Sequence, residues 1–267
     1  MYYDLHVHST NSDGVFEPSE LVNKANELGL EYLCITDHDF ITEKQGLNSI
    51  DNNCKTTLLP GIEFSIEKYD HMHILGYGIN DIDKVKTYLK KVQLENLYIC
   101  KRLLEHLKDD YKFNLDLDKY KNCNMSKGLI RRMLVEGGYA SSMSEAGDLY
   151  TGKKSKYYEP TAKFPLEDTI GVILKSDGIP VLAHPCTLKL SDRELDCFIS
   201  YLKELGVMGI EITNLSKSSR MKTNYYEFLA KKYDLLTTCG SDFHKNGDLF
   251  GIKNEKSKKL INKIMRW

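Results

Sequence analysis

Short apolar segments alternate with amphipathic segments over most of the chain. Seven apolar segments have the length of strands: 2–8, 31–36, 57–66, 72–78, 179–183, 207–212 and 235–239. Five other segments are predicted to be helices: 17–28, 42–52, 166–176, 191–205 and 221–233. The spacing of 57–66 and 72–78 favours a hairpin with its turn near 68–70. Strands that alternate with helices indicate an α/β fold, with a mostly parallel sheet covered by helices.

The pattern changes near Asp81. Apolar residues recur at helical spacing from Val85 to Leu107, which predicts a long helix, and two more helices are predicted at 127–136 and 143–150. No strong strand pattern occurs between about 80 and 178. We therefore predict an inserted helical subdomain over 81–160, within a domain built from 1–80 and 161–267.

Composition narrows the class of protein. The chain has 267 residues, is 41% hydrophobic and carries 37 basic against 38 acidic side chains, a net charge of −1. Its longest apolar runs are far too short to span a bilayer, and a near-neutral charge disfavours a stable complex with long nucleic acid. Seven cysteines without Cys-x-x-Cys spacing argue against a disulfide framework or a Cys-type zinc site. A cytoplasmic location without membrane contact is expected.

Residues that bind metals are concentrated at strand ends. His6 and His8 share one face of the first strand about 7 Å apart, and Asp13 follows in the next turn. Alone, this pair is also typical of two histidines in a half-buried strand. Six of the eight histidines lie at or beside strand ends, whereas His71 and His106 do not fit this pattern. Imidazole and carboxylate ligands without cysteine favour a catalytic site for zinc, manganese or iron.

Six motifs complete this pattern: DLHVHS with SDG at 4–14, ITDHD at 35–39, PGIE at 60–63, HILGY at 73–77, LAHP at 182–185 and GSDFH at 240–244. Together they resemble the PHP (polymerase and histidinol phosphatase) superfamily, and most of all its TrpH-like phosphoesterases. The resemblance implies a distorted (βα)7 TIM-like barrel that holds two or three divalent ions. Manganese is expected first, with iron(II) or zinc as alternatives.

The resemblance also implies a ligand set. His6, His8 and Asp242 would bind one ion, and Glu63 would bridge it to a second ion held by His73 and His184. Asp13, His38 and His244 would hold a third ion. Glu63, His184 and Asp242 are the residues expected to act in catalysis as well as in metal binding. Asp37 or Asp39 could orient an imidazole from behind, or could simply cap a helix or lie at the surface.

The inserted helices are expected to contact the substrate. Relatives carry an Arg-Pro-His-like stretch here, and the chain has Ser126-Lys127-Gly128-Leu129 in its place, with Arg132 at the position of a typical arginine. Lys127 and Arg132 are therefore candidate phosphate contacts, with a solvated basic helix face as the alternative. Lys153, Lys154 and Lys156 with Tyr157 and Tyr158 could stack a base, or could form a surface loop.

These features predict a metal-dependent phosphoric ester hydrolase of phosphatase or exonuclease type, in which metal-activated hydroxide attacks phosphorus. The expected substrate is a phosphate monoester or terminal phosphodiester of a nucleotide, a nucleoside 3',5'-bisphosphate or the 5' end of a short oligonucleotide. One alternative is a histidinol-phosphate phosphatase. Another is a catalytically silent module that binds metal or a partner, and a third is an amidohydrolase.

Overall fold

The computed structural model describes residues 1–43, 53–115 and 124–266. Its strands form one eight-stranded sheet in the order β7-β6-β5-β4-β3-β2-β1-β8. Their bounds are β1 (Tyr2–Val7), β2 (Tyr32–Ile35), β3 (Thr57–Ile66), β4 (Met72–Tyr77), β5 (Ile179–Leu182), β6 (Gly209–Asn214), β7 (Leu236–Gly240) and β8 (Ile252–Lys253). The predicted strands correspond to β1 to β7, whereas β8 was not predicted.

The sheet curls into a nearly closed barrel. Strands β1, β2 and β3 are parallel, as are β5, β6 and β7, and β4 runs antiparallel to both of its neighbours. Just beyond β7, the backbone N–H of Asp242 donates to the carbonyl of His6 at 2.7 Å, and that of His8 donates to the carbonyl of Phe243 at 2.9 Å. These bonds join the first and seventh strands, and the predicted TIM-like barrel with a β3–β4 hairpin is confirmed.

The helices pack against the barrel and lie above its strand ends. Their bounds are α1 (Pro18–Glu27), α2 (Ile82–Tyr111), α3 (Lys127–Glu136), α4 (Met143–Ala146), α5 (Leu166–Lys175), α6 (Asp192–Leu205), α7 (Thr223–Lys232) and α8 (Lys258–Ile264). A π-helical turn, Gly147–Thr151, extends α4, and α8 was not predicted. The helix predicted over 42–52 falls mostly on residues outside the described ones. None of the described helices has the length and apolar character needed to cross a membrane.

Local sequence explains where the helices around the barrel begin and end. In α1, Pro18 occupies the first turn, and Glu17 and Glu20 form a reciprocal capping box. In α6, Ser191 and Glu194 form a second capping box, and Gly206 closes the helix with a φ of 103°. The apolar faces of both helices are buried against the barrel. The capped ends of these helices therefore determine where the neighbouring loops, which carry residues of the site, begin and end.

The long helix α2 contributes to two cores. Val85 and Leu89, in its first half, belong to the main core of the barrel. Cys100, Leu103 and Leu107, in its second half, belong to a separate cluster with side chains from α3, α4 and the π-helical turn. The helix therefore leads the chain from the barrel to a small helical layer above the strand ends, which we call the cap.

Candidate metal centre

The barrel rim brings all nine predicted ligand residues together. His6 lies in β1 and His8 directly follows that strand, while His38 follows β2 and Glu63 lies within β3. His73 lies near the start of β4, which reaches the same rim because β4 is antiparallel to β3. The other four lie in loops: Asp13, His184, Asp242 and His244. The side chains of His6, His8 and Glu63 are fully buried.

Glu63 is the centre of the cluster. Its Oε2 atom lies 3.2 Å from His6 Nε2 and 3.2 Å from His8 Nε2. Its Oε1 atom lies 2.9 Å from His73 Nδ1 and 2.9 Å from His184 Nε2. His38 Nδ1 also lies 3.2 Å from Oε2. The two carboxylate oxygens thus face separate sets of imidazoles, three at Oε2 and two at Oε1, which is the arrangement expected of a carboxylate that bridges two ions.

Two further carboxylates complete the set. Asp242 Oδ1 lies 3.3 Å from His8 Nε2 and 3.7 Å from His6 Nε2. Asp13 Oδ1 lies 3.4 Å from His244 Nε2 and 3.7 Å from His8 Nδ1. Within the described residues, four overlapping groups keep their ligand atoms within 4.8 Å of one another. One of them contains Asp13, His38 and His244 together with His8, so His8 lies between two predicted sites.

The unpaired atoms in the cluster show that it fits metal ions. Buried nitrogens of His6, His8 and His38 and the Oε2 atom of Glu63 have no hydrogen-bond partner. Leaving a buried polar atom unsatisfied costs about 1–3 kcal/mol, so several such atoms in one place indicate a binding site. Neutral imidazoles and carboxylates with free lone pairs are suitable ligands for divalent manganese, iron or zinc.

The electrostatics of the cluster favour metal binding. Burial lowers the pKa of His38 to about 3 and that of His184 to about 4, which keeps both imidazoles neutral. Burial also opposes charge on His6, but Glu63 and Glu211 raise the pKa of His6 to about 10, so His6 must release a proton when it binds a metal ion. For Glu63, burial opposes the anion, yet the neighbouring His73, His38 and His6 hold the pKa of Glu63 well below its usual range. The carboxylate of Glu63 is therefore ionised.

Glu211, in the middle of β6, contacts two of the predicted ligand residues and was not among the residues predicted from the sequence. Its Oε1 atom lies 3.0 Å from His6 Nδ1, and its Oε2 atom accepts the backbone N–H of His184 at 2.7 Å. The side chain is fully buried. A carboxylate behind a ligating imidazole fixes the ring orientation and raises its basicity. A single acidic residue within the apolar sequence Gly-Ile-Glu-Ile was the available signal.

Asp37 and Asp39 organise backbone rather than imidazoles. The carboxylate of Asp37 accepts hydrogen bonds from the hydroxyls of Ser9, Ser12 and Thr42 at 2.6 to 2.8 Å, and one from the backbone N–H of Ser9 at 2.7 Å. These bonds fix the turn that carries Asp13. Asp39 accepts the backbone N–H of Ser65 at 2.8 Å. Neither arrangement is the direct imidazole contact that was considered for these residues.

Two cavities lie over the cluster. The first, of about 340 Å³, is lined by His73, His184, Asp242 and the cationic Lys189, Lys217 and Arg220, and we call it the metal cavity. Lys217 forms an ion pair with Asp242. The second, of about 530 Å³, lies between barrel and cap, and we call it the cap cavity. Both are lined by His38, His71, His73 and Lys189, so they adjoin.

Of the two predicted phosphate contacts, Lys127 lines the cap cavity and Arg132 does not. Lys127 lines the cap cavity, with its ammonium group 4.3 Å from the ring centre of Tyr158. Arg132 is buried and donates to the carbonyls of Thr10 and Gly14, so it braces the turn that carries Asp13. This arrangement gives no support to a phosphate contact by Arg132. Arg131, which the sequence analysis passed over, lines the cap cavity beside Lys127 and donates to Thr151 Oγ1 at 2.6 Å.

The PHP domain family matches residues 4–162, which is more than half of the chain. The chain therefore belongs to the PHP domain family, and the predicted resemblance is confirmed. A solved structure of a protein from Bifidobacterium adolescentis, assigned as a metal-dependent phosphoesterase, has a TM-score of 0.81 and 25% identity. The alignment covers 99% of this chain and 95% of that one.

Two curated relatives define the class of enzyme more closely. The 5'-3' exoribonuclease Rnm of Salmonella typhimurium is 29% identical over 252 residues, which are 91% of this chain and 85% of the relative. The 3',5'-nucleoside bisphosphate phosphatase of Chromobacterium violaceum is 27% identical over 251 residues, which are 92% of this chain and 88% of the relative. The predicted enzyme class, a hydrolase of phosphate esters, is confirmed.

Proposed function

We propose that this phosphoesterase hydrolyses a terminal phosphate ester of a nucleotide, either a nucleoside 3',5'-bisphosphate or the 5' end of a short oligonucleotide. The observation that carries the proposal is Glu63, whose two oxygens face two separate sets of imidazoles beneath a cationic cavity. The nucleotide part rests on the two curated relatives, which act on RNA and on a nucleoside bisphosphate according to their names.

We propose the predicted ligand assignment without change. His6, His8 and Asp242 bind one ion, Glu63 bridges it to an ion held by His73 and His184, and Asp13, His38 and His244 hold a third. Manganese is proposed first, with iron(II) or zinc as alternatives. Divalent ions in such a site lower the pKa of a bound water and neutralise charge on phosphate oxygens.

The protein side chains have the following proposed roles. Lys189, Lys217 and Arg220 line the metal cavity and attract the phosphate dianion. Glu63, His184 and Asp242 hold the reacting groups in place, while Glu211 fixes the ring of His6 and the backbone of His184. Lys127 and Arg131 bind the rest of the substrate from the cap.

The organisation of the chain is also a proposal. We propose a barrel formed by 1–80 and 161–267 and a substrate cap formed by 81–160, supported by the separate apolar cluster of the cap. We propose a cytoplasmic location, supported by the free state of all six cysteines within the described residues. The substrate is a small phosphorylated molecule rather than a long nucleic acid.

Histidinol phosphate is the main alternative substrate. The two hypotheses are separated by measuring the release of phosphate or nucleotide from three substrates. These are a nucleoside 3',5'-bisphosphate, a 5'-phosphorylated trinucleotide and histidinol phosphate. Faster turnover of the nucleotides, by a factor of about ten or more in kcat/KM, supports the proposal. Faster turnover of histidinol phosphate contradicts it.

Glu63→Gln tests whether the cluster performs the reaction. This variant keeps the size of the side chain but removes the bridging anion, so turnover of every substrate should fall by about 10³-fold or more. Glu204→Gln, on the exposed face of α6, is the matched control and should retain activity. Metal-loaded protein that releases nothing from any phosphoester would identify a silent metal-binding module instead.

A further inference from the structure

A third cavity continues the path from the metal cluster to the surface. This outer cavity, of about 810 Å³, lies between the start of α2 and the segment that returns from the cap to α5. It shares Asp70, Tyr158, Thr161, Ala162 and Lys163 with the cap cavity. The cap cavity therefore adjoins both the metal cavity and the outer cavity, and we call the three together the groove. The cap cavity alone has the volume of a pocket for one drug-sized or nucleotide-sized ligand.

Charge along the groove reverses between its second and third parts. The cap cavity is lined by five cationic side chains, Lys127, Arg131, Lys153, Lys163 and Lys189, against three aspartates, one of which is the proposed ligand Asp13. The outer cavity is lined by only two lysines, Lys91 and Lys163, against four acidic side chains, Glu67, Asp70, Glu95 and Asp168. A phosphate is attracted in the cap cavity and repelled beyond it.

Tyr158 stands at the boundary between the two parts. Its side chain is 37% exposed and lines both cavities. The ammonium group of Lys127 lies 4.3 Å from the centre of its ring. At the same boundary, Lys153 forms an ion pair with Asp70 at 2.9 Å. An exposed aromatic ring beside cationic side chains is the usual platform for a nucleobase.

We propose that this charge reversal limits substrate recognition to one nucleotide beyond the metal centre. The reacting phosphate lies in the metal cavity, and the attached nucleoside and the next phosphate occupy the cap cavity, with the base on Tyr158. Further nucleotides add no affinity because the outer cavity is acidic. The inference rests on the proposed function, since it requires a nucleotide phosphate at the metal centre.

The test is a series of substrates of increasing length and one sequence: a nucleoside monophosphate, a nucleoside 3',5'-bisphosphate, and 5'-phosphorylated di-, tri- and tetranucleotides. We expect kcat/KM to rise about tenfold on addition of the second phosphate, as for one charge-assisted contact. It should then stay constant up to the tetranucleotide. A continued rise with each added nucleotide would overturn the proposal.

Two sets of variants test the parts separately. Tyr158→Ala should lower kcat/KM for the bisphosphate and all longer substrates about tenfold, and Tyr158→Phe should restore it because stacking needs only the ring.

Neutralising the outer cavity with Glu67→Gln and Asp168→Asn should raise kcat/KM of the tetranucleotide relative to the bisphosphate. The matched double variant Glu105→Gln and Glu204→Gln, at exposed positions away from the groove, should leave this ratio unchanged. An unchanged ratio in both double variants would contradict the role of the outer cavity.

A parallel binding series separates this inference from the proposed function. The dissociation constants are measured on metal-loaded protein with strands whose bridging ester oxygens are replaced by methylene groups, which cannot be hydrolysed. Affinity that rises with the second phosphate and then levels off, without turnover of the natural strands, supports the groove and refutes the phosphoesterase activity. If the nucleoside monophosphate is turned over and neither kcat/KM nor affinity depends on substrate length, the proposed role of the groove is refuted and the proposed function stands.

Discussion

At the scale of single residues, the site depends on carboxylates that each serve more than one partner. Glu63 faces five imidazoles through its two oxygens, and Glu211 supports both His6 and the backbone of His184. Such shared contacts couple the proposed sites, so a change in Glu63 or Glu211 should affect more than one ion.

Glu211→Gln tests the support behind the ligands. The amide keeps the shape of the side chain but cannot accept from the imidazole and the backbone with the strength of a carboxylate, so metal affinity should fall about 10–100-fold. Competition with a chelator of known affinity measures this change. Glu204→Gln is the control and should bind metal as the native protein does. Native affinity in Glu211→Gln would show that the contact with His6 is only structural.

Asp13→Asn tests the division of the ligands among three ions. The proposal places Asp13 only at the third ion, so this variant should lose about one metal equivalent and keep the other two. Elemental analysis of protein loaded with manganese gives the ratio. Asp177→Asn is a suitable control because it is exposed and has a φ of 58°, which asparagine tolerates. Loss of all ions, or of none, would refute the assignment.

The sequence was sufficient to predict that residues in motifs at strand ends come together in one cluster, as His6, His38 and Asp242 do. It was insufficient for Glu211 and Arg131, whose neighbours in the chain carry no comparable signal. It also could not separate Arg131 from Arg132, because adjacent residues of a helix point about 100° apart and only packing decides which one faces the cavity. The burial of Arg132 against the turn 9–14 settles its direction.

At the scale of elements, the site depends on close contact between β1 and the end of β7. A Cβ atom at Gly240 would lie 2.2 Å from the Cβ of His6 and 2.8 Å from its backbone nitrogen. Any larger residue at this position must push apart the strands that hold His6 and Asp242. A small residue at 240 is therefore a requirement of the site as well as of the barrel.

Gly240→Ala should lower the free energy of unfolding by about 1–3 kcal/mol, the usual cost of overpacking a core. Gly171→Ala, in the interior of α5 with nothing within 4 Å of the added methyl group, should instead raise it by about 0.5–1 kcal/mol through helix propensity. Urea denaturation of both variants measures the two changes. A stable Gly240→Ala variant would contradict the packing described for β1 and β7.

Elements with a clear period were predicted well, and those defined by packing were not. The hairpin of β3 and β4 followed from two apolar segments separated by a polar turn, and α6 followed from an amphipathic segment. The two-residue strand β8 is too short to show any period, and it exists because Tyr2 and Tyr3 of β1 provide an edge to pair with. The π-helical turn after α4 similarly gives no signal that distinguishes it from an α-helix.

At the scale of the whole molecule, the function depends on two parts that meet over one rim. The barrel supplies the ligand cluster, and the cap supplies cationic side chains that face it across the cap cavity. The change of pattern near Asp81 predicted a long helix, but not that the first half of α2 packs into the barrel core. That contact anchors the helix that leads to the cap, so the packing of the barrel core determines where the cap lies relative to the metal centre.

The central claim is that the nine-residue cluster holds divalent ions with which the protein hydrolyses a nucleotide phosphate. Protein freed of metal by a chelator is titrated with manganese while phosphate release from a nucleoside 3',5'-bisphosphate is followed. The account predicts no release without metal and a rise to a plateau at two or three equivalents per chain. Release that persists without metal, or none at full loading, would contradict it.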